Sequence, residues 1–433
     1  MKSKTVIPPS TSISNGLRCN RNSAPPGGSA QLFVLEYSSR RSIIQYSCWN
    51  ILLRNGLYIY DASTAHLPRR IYRVHSDVGQ TWQLCKTYLN TESSKCMIKM
   101  SLLFYLKVYV LRLLTRLFAW LDRRGGPLRP PGPSLKVNIP SRLSAFQGSF
   151  DVFFYFPPGY DRNNSKENGY PIVVNFHGGG YCVGHARDDE RFIAELTSRG
   201  AVVASVNYRL APESPYPVAI EDCLDALLYI WRNAASFQID KHRTVLSGSS
   251  AGGHLAFASL LMLWKRMKDK TLRVDNAHMG TVKGLMAFYP VMDMTKSRAE
   301  RAQSNPAFLA LKRKPPSSSK LIGSVFDEAF FWKLEQKPDK GFMYLSPGLA
   351  PEDALKEALP PIISFKLAGL DYLLSEEKEA FRRLKQLGKN VDCEVVEGVP
   401  HYWDHMARTE EMRELRDRFL GTAAEEIEHI WQS

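Results

Sequence analysis

From Leu135 to the C-terminus, short apolar runs alternate with segments of helical pattern, and this alternation limits the fold more than any other feature. The apolar runs are LKVNIP, SFDVFFYFP, PIVVNF, AVVASVNY, RTVLSG, VKGLMAFYP, PPIISFKLAG and VDCEVVEG. Helical stretches such as residues 218–233 and 251–268 separate most of them. Near-continuous apolar strands joined by helices are typical of a mostly parallel sheet with helices on both faces. We therefore predict an α/β fold over residues 134–433.

One interval breaks the alternation of strands and helices. Residues 294–359 include the polar run KRKPPSSSK, and the interval is too long for a simple loop. We predict that residues 294–359 form a helical cap insertion over the carboxyl edge of the sheet.

The positive charge of the chain is confined to its N-terminal part. The 433 residues carry a net charge of +14, and residues 1–133 contain 19 basic and 5 acidic side chains. The remaining 38 basic and 38 acidic residues balance, so the charge does not indicate a nucleic-acid partner. Residues 1–96 show neither helical nor strand periodicity, and we expect a disordered or non-core extension there.

Residues 97–133 combine an apolar, basic helix with a linker rich in proline and glycine. The helix is predicted over residues 97–121, where Lys107, Arg112 and Arg116 interrupt the apolar sequence. The charge-free runs between them are too short to cross a bilayer, which favours a helix that packs on the main domain as a cap. An interfacial membrane anchor and a true membrane span remain open as alternatives.

The seven cysteines favour a reducing compartment. Their number is odd, and they show neither a CxxC pair nor metal-ligand spacing. The N-terminal sequence has basic residues without an apolar run behind them, so we expect no secretory signal peptide. A cytoplasmic location is predicted, with membrane association left open, and no metal site is expected.

The sequence Gly248-Ser249-Ser250-Ala251-Gly252 follows an apolar strand and precedes an amphipathic helix. It matches G-x-S-x-G, in which a sharp turn from strand to helix exposes the central serine above the sheet. The helix that begins after the serine supplies unpaired N–H groups and a positive dipole. Ser250 is therefore the predicted nucleophile.

Three consecutive glycines follow the strand that ends at His177. When a serine attacks an acyl carbon, negative charge develops on the carbonyl oxygen, and backbone N–H groups commonly stabilise it. Gly178 and Gly179 can offer such donors because no Cβ obstructs the approach, and Ala251 offers a third. We expect His177 to brace this loop. The alternative of a phosphate-binding loop is disfavoured because no lysine or arginine lies beside the glycines.

Four motifs together resemble the hormone-sensitive lipase branch of α/β-hydrolase esterases. These motifs are HGGGYCVG, NYRLAPESPYPVAIEDCLDAL, GSSAGG and GLDYLLSE, and they occur in the order and at the spacings of that family. The resemblance covers the chain from about Leu135 to the C-terminus. It implies an α/β-hydrolase fold with a helical cap and a cofactor-free hydrolase of carboxylic esters.

The remaining catalytic residues follow from chain order, which in this fold is serine, then aspartate or glutamate, then histidine. Asp371 and His401 each follow a predicted strand, so both can reach Ser250 at the carboxyl edge of the sheet. His401 would accept the serine proton and Asp371 would orient the imidazole. His405 is the competing base and Glu376 the competing acid.

This chain departs from the family pattern at two places near the site. Ser249 precedes the nucleophile where members often carry aspartate or threonine, and Tyr402-Trp403 follows the histidine where members often carry Gly-Phe. The two aromatic residues should narrow the space beside the base.

Three charged residues in and after YRLAPE are predicted to be structural. We expect Arg209, Glu213 and Asp222 to form ion pairs or a hydrogen-bonded turn that holds this segment in place.

The sequence therefore predicts a serine carboxylesterase that acts on small-molecule esters of short or small acyl groups. The acyl preference is carried by the family resemblance alone. Three alternatives remain: an amide or carbamate hydrolase with the same triad, a membrane-associated lipase, and an inactive ligand-binding homologue.

Overall fold

The computed structural model describes most of the C-terminal three quarters of the chain. The described residues are 132–161, 168–311, 325–332, 334 and 338–433, the helix Glu92–Arg124 and four short strands nearer the N-terminus. The side chains of that helix are described from residue 102 to residue 120. Met1–Ser101 and Leu102–Ser433 form two separate compact units.

The first unit contains four short strands that the sequence pattern did not predict. They are β1 (Cys19–Asn22), β2 (Leu32–Leu35), β3 (Leu57–Tyr60) and β4 (Ile71–Val74). The strands pair in chain order, with β2 parallel to β3 and the two outer pairs antiparallel. The rest of residues 1–91 lies outside the described part, so the expectation of a disordered or non-core extension stays a prediction.

An eight-stranded, mostly parallel sheet organises the second unit. Its strand order is β12-β11-β10-β9-β7-β8-β6-β5, and only the pairs β8–β6 and β6–β5 are antiparallel. The strands are β5 (Leu135–Pro140), β6 (Ser149–Tyr155), β7 (Tyr170–Phe176), β8 (Val202–Asn207), β9 (Ile239–Ser249), β10 (Val282–Phe288), β11 (Ile362–Ala368) and β12 (Asn390–Val396). All eight predicted strands are present, and the predicted α/β class is confirmed.

Helices cover both faces of this sheet, as the near-continuous apolar strands require. The helices among the described residues, on these faces and elsewhere, are α1 (Glu92–Arg124), α2 (Glu190–Ser198), α3 (Val218–Arg232), α4 (Ala251–Lys268), α5 (Arg298–Gln303), α6 (Pro306–Leu309), α7 (Glu352–Ala358), α8 (Leu374–Gln386) and α9 (Glu410–Gln432). Residues 325–330 form a further short helix.

Strand β7 shows why both faces of the sheet must be covered by helices. Its side chains alternate between faces, and Ile172 and Val174 pack in a core cluster that includes residues of α3 and α4. Val173 points to the opposite face and packs in a second cluster that includes residues of α2 and α9. The parallel strands all end at one edge, and the loops that follow them lie there together.

The chain between β10 and β11 contributes segments above that edge. Asn305, just before α6, donates through Nδ2 to the carbonyl oxygens of Gly369 and Asp371 at 3.0 and 2.7 Å. Phe330 stacks on Tyr181, with ring centroids 3.9 Å apart. The segments around α6 and residues 325–330 therefore lie over the loops that follow β7 and β11. Residues 312–324 of the predicted cap lie outside the described residues.

Helix α1 includes all of the helix that the sequence predicts over residues 97–121. Phe104 and Val108 are buried with Cys182, Val183 and residues of the 325–330 helix. None of the helices in the described part of the chain has the length and apolar character that a membrane span requires.

The Arg209 segment has ion pairs of the kind that the sequence predicts. Arg209 forms a bidentate ion pair with Asp222, in which Nη2 lies 2.7 Å from Oδ1 and Nε lies 2.9 Å from Oδ2. Glu213 pairs instead with Arg112 of helix α1, with Nη2 and Oε2 2.7 Å apart. These ion pairs tie neighbouring segments together away from the serine.

Candidate active site

Ser250 occupies the sharp turn between strand β9 and helix α4. Its backbone has φ 53° and ψ −115°, a strained conformation for a residue with a side chain. The turn requires glycine nearby, because a Cβ on Gly252 would lie 1.8 Å from the carbonyl oxygen of Phe176. Ser250 N–H donates to the carbonyl oxygen of Phe288 at 2.8 Å, which fixes the turn against β10.

The structure brings Ser250, His401 and Asp371 into one hydrogen-bonded chain. Ser250 Oγ lies 2.9 Å from His401 Nε2, and His401 Nδ1 lies 2.5 Å from Asp371 Oδ2. Asp371 is fully buried, and its Oδ1 accepts a hydrogen bond from the N–H of Leu373 at 3.0 Å. In this geometry the imidazole can accept the serine proton through Nε2 while the carboxylate holds Nδ1–H.

The glycine loop after β7 lies directly beside this serine. Its backbone follows a course that only glycine adopts easily, since Gly179 has φ +117°. A Cβ on Gly179 would lie 2.2 Å from the carbonyl oxygen of Val183. A Cβ on Gly178 would lie 3.1 Å from the carbonyl oxygen of Ser249, the residue before Ser250. Ala251, whose N–H is the third predicted donor, is the first residue of helix α4.

His177 holds the glycine loop through its side chain. His177 Nδ1 donates to the carbonyl oxygen of Gly178 at 2.7 Å, and the ring stacks on Tyr208 at 4.2 Å. Burial lowers the pKa of the imidazole to about 4, so the ring is neutral at physiological pH. Because a trans peptide keeps C=O and N–H on opposite sides, this bond also fixes the direction of the Gly179 N–H.

The competing base, His405, does not contact Ser250 in this geometry. Its Nε2 lies 3.3 Å from Asp189 Oδ1 and 3.7 Å from Asp404 Oδ2. Burial opposes the charged form, but the carboxylates outweigh that effect and raise the pKa of His405 to about 9. The imidazole is therefore protonated at neutral pH and cannot accept a proton.

The competing acid, Glu376, also has other partners. One of its oxygens accepts hydrogen bonds from the N–H groups of Met292 and Asp293 at 3.0 and 3.2 Å. The other forms an ion pair of 2.7 Å with Arg301. Glu376 therefore joins helix α8 to the segment that follows β10.

Sequence reasoning missed two groups that support the site. Asn305 holds the backbone of Asp371, and Tyr289 donates its hydroxyl to Asp404 Oδ1 at 2.5 Å. Asn305 precedes Pro306, which is typical of a helix start, and its Oδ1 accepts from the N–H of Ala307 at 3.0 Å. That local pattern marks the helix start but does not reveal the distant partner of the amide nitrogen.

A sharp strand-to-helix turn with a serine, histidine and aspartate in hydrogen-bond contact is typical of serine hydrolases with an α/β-hydrolase fold. A model of the alpha/beta hydrolase fold family matches residues 173–405, more than half of the chain. The chain therefore belongs to this family, and the predicted resemblance to hormone-sensitive-lipase-like esterases is confirmed.

The similar proteins include named carboxylesterases. An AB hydrolase superfamily protein of Schizosaccharomyces pombe is 28% identical over 275 residues, which are 63% of this chain and 74% of the relative. Carboxylesterase NlhH of Mycobacterium tuberculosis is 37% identical over 131 residues, 29% of this chain. A probable carboxylesterase of Arabidopsis thaliana is 37% identical over 148 residues, 33% of this chain. The aligned regions span 39% and 42% of those two carboxylesterases.

Solved structures support the same fold. The structure of EstE1, a thermophilic and thermostable carboxylesterase cloned from a metagenomic library, has a TM-score of 0.57 at 25% identity. The similarity covers 75% of this chain and 98% of EstE1. Together with the family match, these relatives support the expected class, a carboxylic ester hydrolase.

Proposed function

We propose that this protein is a serine carboxylesterase with Ser250 as nucleophile, His401 as general base and acid, and Asp371 as the residue that orients the imidazole. The contact that carries the proposal is the 2.9 Å approach of Ser250 Oγ to His401 Nε2, with Asp371 on the opposite ring nitrogen. The family match supports the same assignment.

The reaction proceeds through an acyl-enzyme. Ser250 Oγ attacks the ester carbonyl carbon while His401 Nε2 takes its proton. The negative carbonyl oxygen of the tetrahedral intermediate accepts hydrogen bonds from the N–H groups of Gly178, Gly179 and Ala251. The intermediate collapses when His401 returns the proton to the departing alcohol. A water molecule, deprotonated by His401, then attacks the acyl carbon, and His401 returns that proton to Ser250 Oγ as the acid is released.

Short or small acyl groups are the proposed substrates. Aromatic rings crowd the base: the ring of Tyr289 lies 4.9 Å from that of His401, and the ring of Tyr372 lies 5.8 Å from it. Phe326 lies against the glycine loop, since a Cβ on Gly180 would be 2.6 Å from its ring. These rings support a small site that also suits aromatic esters.

An ester panel and a covalent label test the proposal together. Fluorophosphonate should label the protein, and Ser250→Ala should abolish the label. Rates with p-nitrophenyl esters of two to twelve acyl carbons should fall as the chain lengthens. A protein that takes no label and hydrolyses no ester of the series is not an esterase, which would favour the inactive, ligand-binding alternative.

Amide or carbamate hydrolysis is the second candidate, since the same triad serves those reactions. The p-nitroanilide and phenyl carbamate with the preferred acyl group should react much more slowly than the matched ester. Faster turnover of either compound would overturn the assignment to esters.

The domain organisation belongs to the same proposal. Residues 134–433 form the catalytic domain, residues 294–359 form its cap insertion, and residues 1–96 are an extension outside the core. A cytoplasmic location fits the free thiols of Cys182, Cys223 and Cys393. Peripheral contact with a membrane through residues 97–121 is also part of the proposal, because large apolar side chains on that helix are exposed.

A further inference from the structure

Helix α1 presents an apolar face that the described structure leaves exposed. Between residues 102 and 120, ten large apolar side chains are exposed, with Leu102 and Leu113 at 65% and 68%. The others are Leu103, Leu106, Tyr109, Val110, Leu114, Leu117, Phe118 and Trp120. Nineteen helical residues extend about 28 Å, so this is a long continuous patch, whereas scattered single apolar residues are common on protein surfaces.

The opposite side of the helix already has its partners. Phe104 is buried and stacks on Trp332 with ring centroids 4.2 Å apart. Arg112 donates to the carbonyl oxygens of Cys182 and Ala211, each at 2.8 Å. Tyr109, whose hydroxyl donates to Glu213 at 2.8 Å, borders this attached side, and the remaining exposed side chains extend away from it around the helix.

The charges on the same surface are basic. Lys107 and Arg116 are exposed among the apolar residues, and no acidic residue occurs between positions 102 and 120. Arg408, which is also exposed, lies over the ring of Phe118 at 5.9 Å. A helix with an exposed apolar face and lysine or arginine beside it is typical of binding in the plane of a membrane that contains anionic lipids.

The helix runs along segments that border the active site. Arg112 donates to the carbonyl oxygen of Cys182, three residues after Gly179 of the candidate oxyanion hole. Near the other end of the exposed face, Phe118 meets Arg408, which lies in the segment that follows His401. Met406 of that segment is itself 51% exposed. A lipid surface in contact with α1 would therefore lie close to the border of the site.

We propose that the exposed face of α1 docks on a membrane leaflet containing anionic lipids, and that the enzyme takes apolar esters from that interface. The docking is independent of the proposed chemistry, whereas substrate delivery rests on the proposed function. The apolar side chains enter the region between headgroups and acyl chains, and Lys107 and Arg116 contact lipid phosphates. An apolar ester that partitions into the leaflet is thereby concentrated beside the site.

Vesicle flotation of the full chain tests the docking. The wild type should float with vesicles of phosphatidylcholine and phosphatidylserine and less with phosphatidylcholine alone. Replacing Leu106, Leu113 and Leu117 together with glutamate should weaken binding by more than about tenfold, because three buried apolar contacts are lost and negative charge is added. Lys107→Gln with Arg116→Gln should remove the preference for anionic vesicles. Leu349→Glu, an exposed apolar residue outside the helix, is the matched control and should float like the wild type.

Hydrolysis separates docking from catalysis. All these variants should hydrolyse a water-soluble short ester at the wild-type rate, while anionic vesicles should accelerate turnover of an apolar ester only in proteins that float.

The proposal would be overturned if the leucine substitutions left flotation unchanged. The proposal would also be overturned if the wild type did not float but formed dimers, and if the leucine substitutions dissociated those dimers. In that case the exposed face of α1 would bind a second copy of the chain. Loss of all hydrolysis with flotation retained would contradict the esterase proposal and leave the docking intact.

Discussion

His405 Nε2 lies 3.3 Å from Asp189 Oδ1 and joins the segment that carries His401 to the loop that follows the glycines. Asp404 provides a second carboxylate at 3.7 Å, and the ring of His405 stacks on Tyr402 at 4.0 Å and 9°. Tyr402 is the residue next to His401 and has a positive φ of 63°. A protonated His405 therefore positions the backbone beside the imidazole of His401, the proposed base, without contacting Ser250 or His401 itself.

We predict that His405→Gln lowers kcat about tenfold or more and leaves KM nearly unchanged, because His401 loses its fixed position while the acyl site keeps its shape. Initial rates with a short p-nitrophenyl ester would measure the effect. His278→Gln, which alters an exposed histidine on another surface, is the control. A wild-type kcat in His405→Gln would show that the segment holds His401 without this ion pair.

The stability of the protein should depend on pH through the same histidine. The folded structure raises the pKa of His405 from 6.5 to about 9, so folding favours the protonated ring. Its contribution is full below pH 6.5 and is lost as the pH rises through 9. The difference in Tm between wild type and His405→Gln should therefore shrink between pH 6.5 and 9. A difference that stays constant over this range would mean that His405 is neutral in the folded protein.

Much of the fold could be predicted because its signals are local. Each of the eight strands is a run of β-branched or apolar residues, and the turn at Ser250 is marked by glycines four positions apart. The order of Ser250, Asp371 and His401 follows from the resemblance, and each lies at the end of a parallel strand. Such strand ends meet at one edge, so the three side chains could be expected to converge.

The partners of His405 could not be predicted because they are distant in the chain. Asp189 precedes His405 by more than two hundred residues, and nothing in the sequence around Asp189 marks it as an ion-pair partner.

The surroundings of Ser249 also could not be predicted from the sequence. The sequence shows that serine replaces the usual aspartate or threonine, but only the structure shows that Ser249 shares a cavity with Asp188, Asp189 and Asp404. A further carboxylate at position 249 would be repelled by these three.

The exposed face of α1 was also beyond sequence reasoning. Apolar residues surround most of this helix, so the pattern could not tell which side packs on the α/β-hydrolase fold. The buried side chains of Phe104 and Val108 and the partly buried side chain of Arg112 decide that question, because they contact loops whose positions depend on the whole sheet.

Arg112→Gln should weaken the attachment of helix α1 to the α/β-hydrolase fold. The guanidinium makes hydrogen bonds to two backbone carbonyls and an ion pair with Glu213, and its side chain is only 13% exposed. We expect a loss of about 2–3 kcal/mol in the free energy that holds the helix in place, since bonds to a charged donor are lost and two carbonyls remain partly buried. Hydrogen exchange of residues 102–120 would measure the opening. Arg116→Gln, on the exposed face, should leave exchange unchanged, and equal effects of both variants would contradict the anchoring role.

Ser250→Ala and Asp371→Asn test the proposed triad. Each should lower kcat by about 10⁴-fold, the first by removing the nucleophile and the second by removing the carboxylate that fixes the imidazole tautomer. Both proteins should keep the wild-type circular dichroism spectrum. Glu376→Gln provides a contrast, because Glu376 contacts Arg301 and backbone N–H groups. This variant should have a lower free energy of unfolding, while its kcat should change little. Near-wild-type turnover in Ser250→Ala would exclude Ser250 as the nucleophile.

Gly179→Ala tests the oxyanion hole. An added Cβ would lie 2.2 Å from the carbonyl oxygen of Val183, so the peptide that carries the Gly179 N–H must turn away. We expect kcat to fall by about 10²–10³-fold, the effect typical of one lost oxyanion donor, while KM changes much less because the ground-state carbonyl uses these donors weakly.

Gly388→Ala is the control for Gly179→Ala, since Gly388 also has a positive φ, +83°, but an added Cβ there would meet open space. Gly388→Ala should destabilise the fold by about 1–2 kcal/mol through its positive φ alone, and Gly179→Ala should cost more because of the clash with Val183. Only Gly179→Ala should slow turnover and fluorophosphonate labelling. A loss that arises wholly from KM would assign the glycines to substrate binding instead.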